Sequence, residues 1–168
     1  SGQLVGEVAA MAMGRIYTFG PTFRAERSNT PRHAAEFWQI EPEVAFAKLP
    51  DIIAIAEEMI KYVIRAVLDE CGEELAFFEK AFEPGLRAKL ESVAGSDFAV
   101  VDYTDAIRML KESGEQFAFP VEWGLDLQTE HERCLTEKLI GKPVFVINYP
   151  KKIKSFYMKQ NDDGKTVA

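Results

Sequence analysis

The stretch "YTFGPTFRAERSNTPRHAAEFWQIEPEVAF", residues 17 to 46, constrains this chain more than any other part of it. Residues 15 to 26 and 36 to 46 read as two strands joined by a polar loop of about nine residues, a loop length that predicts a hairpin. Side chains two apart on a strand share a face. Arg24 and Glu26 therefore point one way, and Phe23 and Ala25 the other. On the return strand Phe37, Gln39, Glu41 and Glu43 share a face, which leaves Trp38, Ile40 and Val44 to fill a core opposite. One hairpin face thus offers a fixed cation, several carboxylates, an amide and an aromatic plate.

That set suits a nucleotide bound in a bent form. A guanidinium at Arg24 can fork onto a phosphate or carboxylate. The Phe37 ring can stack a purine, Glu26 can accept from its exocyclic amine, and Gln39 and Glu41 can hold an ammonium group. The pattern alone is equally that of a solvated sheet face with cross-strand ion pairs.

The remaining segments supply a frame. Pro50 and Asp51 open a long helix, with Asp51 as its cap and Gly72 as its stop, because apolar residues from Ile52 to Leu68 recur every three or four positions. Shorter helices are expected at 73–82 and 84–94. "DFAVVDY" (97–103) reads as a buried strand, followed by a helix from Thr104 or Asp105 to Ser113. Thr129 is placed to cap a helix over 130–140 ended by Gly141, before a second apolar strand, "PVFVINY" (143–149). "NDDG" reads as a hairpin turn. A hairpin, then helices, then strands interleaved with helices, is an α+β order.

Composition removes several classes. With 168 residues the chain can form one domain with a sizeable core. A net charge of -7 argues against gripping nucleic acid by bulk positive charge, though not against a local basic loop. Cys71 and Cys134 lack the spacing of a zinc site and read as free thiols of a reducing, cytoplasmic protein. No apolar run is long enough to span a membrane. "EHER" (130–133) lacks the paired spacing that sets two ligands on one helix face, so no metal site is expected there.

"FRAE", an Arg-bearing loop and then "EFWQIEPE" together resemble motif 2 of the class II aminoacyl-tRNA synthetases, at about 15–46, and the fuller string resembles the asparaginyl version. The likeness continues through "SGQL", "VDYTDAI", "EHER" and "YPKKIKSFYMKQNDDGKTVA", and so covers residues 1–168. It implies part of the class II catalytic domain, an antiparallel sheet flanked by helices. It also implies activation of asparagine by ATP and transfer to tRNA(Asn), by a cytoplasmic homodimer that touches no membrane. On matching positions Arg24 is the catalytic cation and holds the α-phosphate. Glu26 reads the adenine amine, Phe37 stacks the base, and Arg32 faces the outer phosphates or the acceptor end. Arg27 and His33 share the loop and are placed to touch the tRNA acceptor end.

At the amino-acid end the family's pattern puts Ser1 and Gln3, which share a face if "SGQL" is extended, around the substrate ammonium with Gln39 and Glu41. Tyr157 lines the pocket. Aspartyl-specific relatives carry a Lys where this chain has Gly6, and here Glu7 follows. An acceptor such as Glu7 suits an amide that donates, and repels aspartate. The anticodon domain, motif 1, the "GxGxGxER"-type motif 3 and the acidic ligands of the Mg2+ expected with ATP are not in this sequence, so the 168 residues alone are expected to be inactive. Two other readings stay open: a non-catalytic synthetase-like binding module, and an adenylate-forming enzyme that makes asparagine without tRNA.

Overall fold

The computed structural model describes residues 2–25, 27 and 33–168, with side chains from residue 5 onward. Among these residues the chain forms two compact units, 1–48 and 49–168.

In the first unit, helix α1 (Gly2–Met13) is followed by Gly14 at φ 80°, a left-handed residue that turns the chain into strand β1 (Arg15–Phe23). Strand β2 (Glu36–Val44) pairs with it antiparallel, Arg15 opposite Val44 and Phe23 opposite Glu36. The helix overturns the extended reading of "SGQL". Apolar residues at Leu4, Val5, Val8, Ala9 and Met11 carry no strict alternation, and helix formers such as Ala and Met dominate the segment. Gly6 and Ala10 are buried in α1.

The face of the hairpin expected to fill a core does not fill one in this unit. Tyr17, Phe19, Phe23, Trp38 and Ile40 are exposed, Trp38 at 63%. The reason is that α1 packs on the other, polar face; on this face Phe19 meets Trp38 at 5.1 Å between centroids.

In the second unit α2 (Leu49–Glu70) carries the expected apolar stripe, but it starts two residues before Asp51. Asp51 therefore stands in the first turn, where a carboxylate suits the helix dipole, and not at the cap. Gly72 opens helix α3 (Gly72–Ala81) as well as following α2, and α4 (Leu86–Gly95) comes next. Arg65 donates to the carbonyl of Ala94 at 3.0 Å, and Glu57 accepts from the Phe98 backbone at 3.2 Å, which ties α2 to the end of α4.

Strand β3 (Ala99–Asp102) runs parallel to β4 (Val144–Ile147), with α5 (Tyr103–Glu112) and α6 (Thr129–Arg133) between them in the chain. Asp102 caps α5, accepting from the Thr104 N–H at 2.9 Å, in place of Thr104 or Asp105. Gln128 caps α6 in place of Thr129, and the helix widens into a π-helical stretch, Cys134–Ile140, which Gly141 ends at φ 73°. Ala106, Leu110, Cys134 and Leu135 form the core, with Val101 and Val146 packed on it. Both cysteines are free.

The chain ends in β5 (Tyr149–Pro150), a 3-10 turn at Lys151–Ile153, and β6 (Thr166–Val167), antiparallel to β5. The "NDDG" turn is closed by Asp163, which accepts from the backbone of Lys165 and Thr166 and from the Thr166 hydroxyl. Gly164 stands at φ 67°. The hairpin, this short antiparallel pair, the parallel pair and the helices make an α+β set of elements.

Candidate functional site

The register places Thr18 opposite Glu41, Gly20 opposite Gln39, and Thr22 opposite Phe37. Beyond the last pair the Arg24 N–H donates to the Ala35 carbonyl at 2.8 Å, so the ladder continues one step and Arg24 shares the face of Phe37. The guanidinium carbon lies 5.2 Å from the Phe37 ring centroid. A cation over an aromatic face is attracted by the ring quadrupole, worth about 0.5–1 kcal/mol when exposed. Arg24 is exposed and Phe37 half-buried, so cation and plate are available together at the loop end of the hairpin.

Two threonines orient the polar groups further along. The Thr18 hydroxyl donates to Glu41 Oε2 at 3.1 Å, and the Thr22 hydroxyl donates to Gln39 Oε1 at 3.1 Å. The second bond leaves the amide NH2 of Gln39 pointing away from Thr22. Between the threonines Gly20 has no side chain, and a Cβ there would meet nothing within 4 Å. The face therefore runs from carboxylates through an amide and an open floor to an aromatic plate and a guanidinium. Phe37 and Glu41 stand four residues apart, about 13 Å by the rise of a strand.

At the far end α1 lies on this face. A Cβ at Gly6 would stand 3.3 Å from Cγ of Glu43 and 3.5 Å from Cδ1 of Ile16. Glycine here permits the helix to approach the strand, and Glu43 is the carboxylate beneath it. Glu7, one residue on, is exposed.

Among the expected site residues, the fold brings Arg24, Phe37, Gln39 and Glu41 onto one face. Ser1, Glu26 and Arg32 lie outside the described residues, as does the side chain of Gln3. Arg27 and His33 are exposed in the loop. Tyr157 belongs to the second unit, where it is 62% exposed and packs edge-on against Phe156. Thr18, Thr22 and Glu43 were not anticipated in these roles. Thr18 and Thr22 share Arg24's even-numbered positions, a signal available in the sequence. The approach of Glu43 to Gly6 was not, because it joins residues far apart in the chain.

The His and Glu of "EHER" are engaged structurally. His131 is buried, its Nδ1 accepting from the Gln128 N–H at 3.1 Å and its Nε2 facing the Phe119 carbonyl at 3.2 Å. Glu130 accepts from the backbone of Ala118 and Phe119, and those two bonds hold its carboxyl below the usual carboxylate range. Among the described residues no three His, Cys, Asp or Glu side chains converge as a metal site would require. No described helix is long and apolar enough to cross a membrane.

The protein-family model for tRNA synthetases class II (D, K and N) matches residues 1–168. The asparagine–tRNA ligase of Geotalea uraniireducens is 63% identical over all of this chain, and that of Geobacter metallireducens 64%. The chain spans 36% of the length of each. A crystal structure of asparaginyl-tRNA synthetase from Pyrococcus horikoshii, complexed with asparaginyl-adenylate, superposes with a TM-score of 0.81. It is 35% identical, over 99% of this chain and 36% of that one.

Proposed function

The chain belongs to the class II tRNA synthetases of the D, K and N group, and from that premise we propose that it is the nucleotide-gripping part of a cytoplasmic asparagine–tRNA ligase. One observation carries the reading: the Arg24 guanidinium lies over the Phe37 ring, on the face that also holds Gln39 and Glu41. A purine ring needs a plate, its first phosphate a fork, and an amino acid's ammonium a carboxylate, in that order along one ligand. The names of the 59–64% identical relatives favour asparagine as that amino acid.

In this reading an oxygen of the asparagine carboxylate attacks the α-phosphorus of ATP. The bond from that phosphorus to the bridging oxygen breaks, and pyrophosphate leaves with the electron pair. No protein nucleophile takes part. Arg24 bonds the α-phosphate and steadies the charge that builds on its oxygens. Phe37 stacks the adenine and Glu26 accepts from its amine. Arg32 meets the outer phosphates. Glu41, positioned by Thr18, holds the ammonium group with Gln39, Ser1 and Gln3, which sets carboxylate and phosphorus in line. A hydroxyl of the terminal ribose of tRNA(Asn) then attacks the activated carbonyl and AMP leaves, with Arg27 and His33 beside the acceptor end. The magnesium ion expected with ATP finds no carboxylate cluster among the described residues, and no step is assigned to it.

Side-chain selection follows from charge. Gly6 supplies no cation for a second carboxylate, while Glu7 offers an acceptor to an amide. A like-charge contact between Glu7 and a second substrate carboxylate counts against aspartate. The test is asparagine-dependent ATP–pyrophosphate exchange by the longest polypeptide the gene encodes, as the homodimer expected for it. Exchange with asparagine and not aspartate is the expected result; exchange with aspartate alone overturns the reading.

A further inference from the structure

A cleft built from the second unit alone lies between the 122–125 turn and the β5–β6 turn. It encloses about 810 Å³, within the range of small-ligand sites, and is lined by Trp123, Gly124, Lys151, Lys152, Gly164 and Lys165. In a chain of net charge -7, the residues that line this cleft include three lysines and no Asp or Glu.

Both walls are held in place. The Trp123 indole N–H donates to the Thr104 hydroxyl at 3.1 Å, and the ring meets Tyr103 edge-on at 6.2 Å. Tyr103 is wholly buried; its hydroxyl accepts from the Gly124 N–H at 3.0 Å and donates to the Leu125 carbonyl at 2.7 Å. The indole is thus pre-oriented while 46% exposed. On the other wall the Lys151 N–H donates to the Lys165 carbonyl at 2.9 Å, which sets the two lysines across a strand pair. The Lys151 ammonium donates to Gln160 Oε1 at 2.8 Å. Asp163, the turn's carboxylate nearest in sequence to Lys165, is spent on the backbone and hydroxyl of its own turn.

We propose that this cleft binds a nucleotide of single-stranded RNA, with its base against Trp123 and its phosphates among Lys151, Lys152 and Lys165. A fixed aromatic plate beside clustered ammonium groups is what an unpaired nucleotide uses, whereas an acidic peptide leaves the indole unused. The choice of RNA over a free nucleotide rests on the tRNA reading above; the cleft itself consists of residues outside the asparagine and ATP sites proposed there.

The test is the fluorescence anisotropy of a short dye-labelled single-stranded RNA titrated with the chain at several salt concentrations. Replacing Trp123 by Ala is expected to weaken binding about fivefold or more, the loss of one stacked base. Trp123→Phe is expected to restore part of it. Replacing Lys151, Lys152 and Lys165 together by Ala is expected to flatten the log–log salt dependence by about 2, and replacement by Arg to leave it steep. In a Trp38→Phe background, where Trp123 is the remaining tryptophan, RNA is expected to quench its emission. Equal affinity in the Ala variants overturns the proposal. So does equal binding of AMP, or competition by polyaspartate as effective as by unlabelled RNA. Asparagine-dependent exchange needs no RNA, so its absence counts against the hairpin reading and unaltered RNA affinity counts against this one.

Discussion

Replacing Gly6 by Ala separates stability from substrate recognition. The residue lies inside α1 at a φ that any residue adopts, so an added methyl gains the helix propensity that glycine lacks, about 1 kcal/mol. Against this, the new Cβ would stand 3.3 Å from Cγ of Glu43, a few tenths of an ångström inside ordinary carbon contact. Ile16 Cδ1 at 3.5 Å already sits at the edge of that range, so Glu43 is the side chain that gives way. Turning it from its rotamer costs about 0.5–1.5 kcal/mol. The two terms cancel, and the urea midpoint is expected to stay within about 0.5 kcal/mol of wild type in free energy. Recognition does not cancel, because the carboxylate that moves, with Oε1 3.9 Å from the new methyl, stands two positions beyond Glu41 on the same face and disturbs the ammonium site proposed around Glu41. A displaced carboxylate contact of about 1–2 kcal/mol raises the KM for asparagine roughly tenfold. Phe37 stands six positions away on β2, about 20 Å, so the KM for ATP is unchanged. The assay pairs urea unfolding with pyrophosphate exchange at varied asparagine and ATP. An unchanged asparagine KM refutes a role for this end of the face, and a loss above about 2 kcal/mol refutes the claim that Glu43 yields.

Replacing Arg24 by Ala lowers the exchange rate by about 10²–10³-fold, because its chemistry lies in the charged transition state, while the melting temperature falls by no more than about 2–4 °C, the loss of one exposed cation–π contact. Arg24→Lys keeps the charge, loses the fork, and recovers only part of the rate. Replacing Tyr103 by Phe strips the partner of the Gly124 N–H and the Leu125 carbonyl and is expected to cost about 1–3 kcal/mol by urea unfolding. Acid stability carries the mark of Glu130 and Asp163, both held below their usual values by backbone N–H groups. A depressed carboxyl contributes stability above its unfolded pKa, near 4.5 for Glu130 and 3.8 for Asp163, that is lost as pH falls through the folded value. Circular dichroism of Glu130→Gln and Asp163→Asn in that window therefore shows a shallower acid transition than wild type.

The chain's own pattern determined which residues of the hairpin share a face, because alternation along a strand is a local rule that packing does not override. Arg24, Phe37, Gln39 and Glu41 were legible for that reason, as were the apolar stripe of α2 and the turn at Gly164. Helix ends were less legible: Asp51, Thr104 and Thr129 each lie within three residues of the true start, since several polar residues compete for each cap. Tertiary structure alone decided that α1 lies on the polar side of the hairpin, that Gly6 meets Glu43, and that Trp38 and Phe19 stay exposed. It alone turned β3 and β4 parallel and tied Trp123 to Thr104 beside three lysines. Each of those pairings joins residues far apart in sequence. Their free energy comes from shape and burial after the chain has folded back on itself, and no local period encodes it.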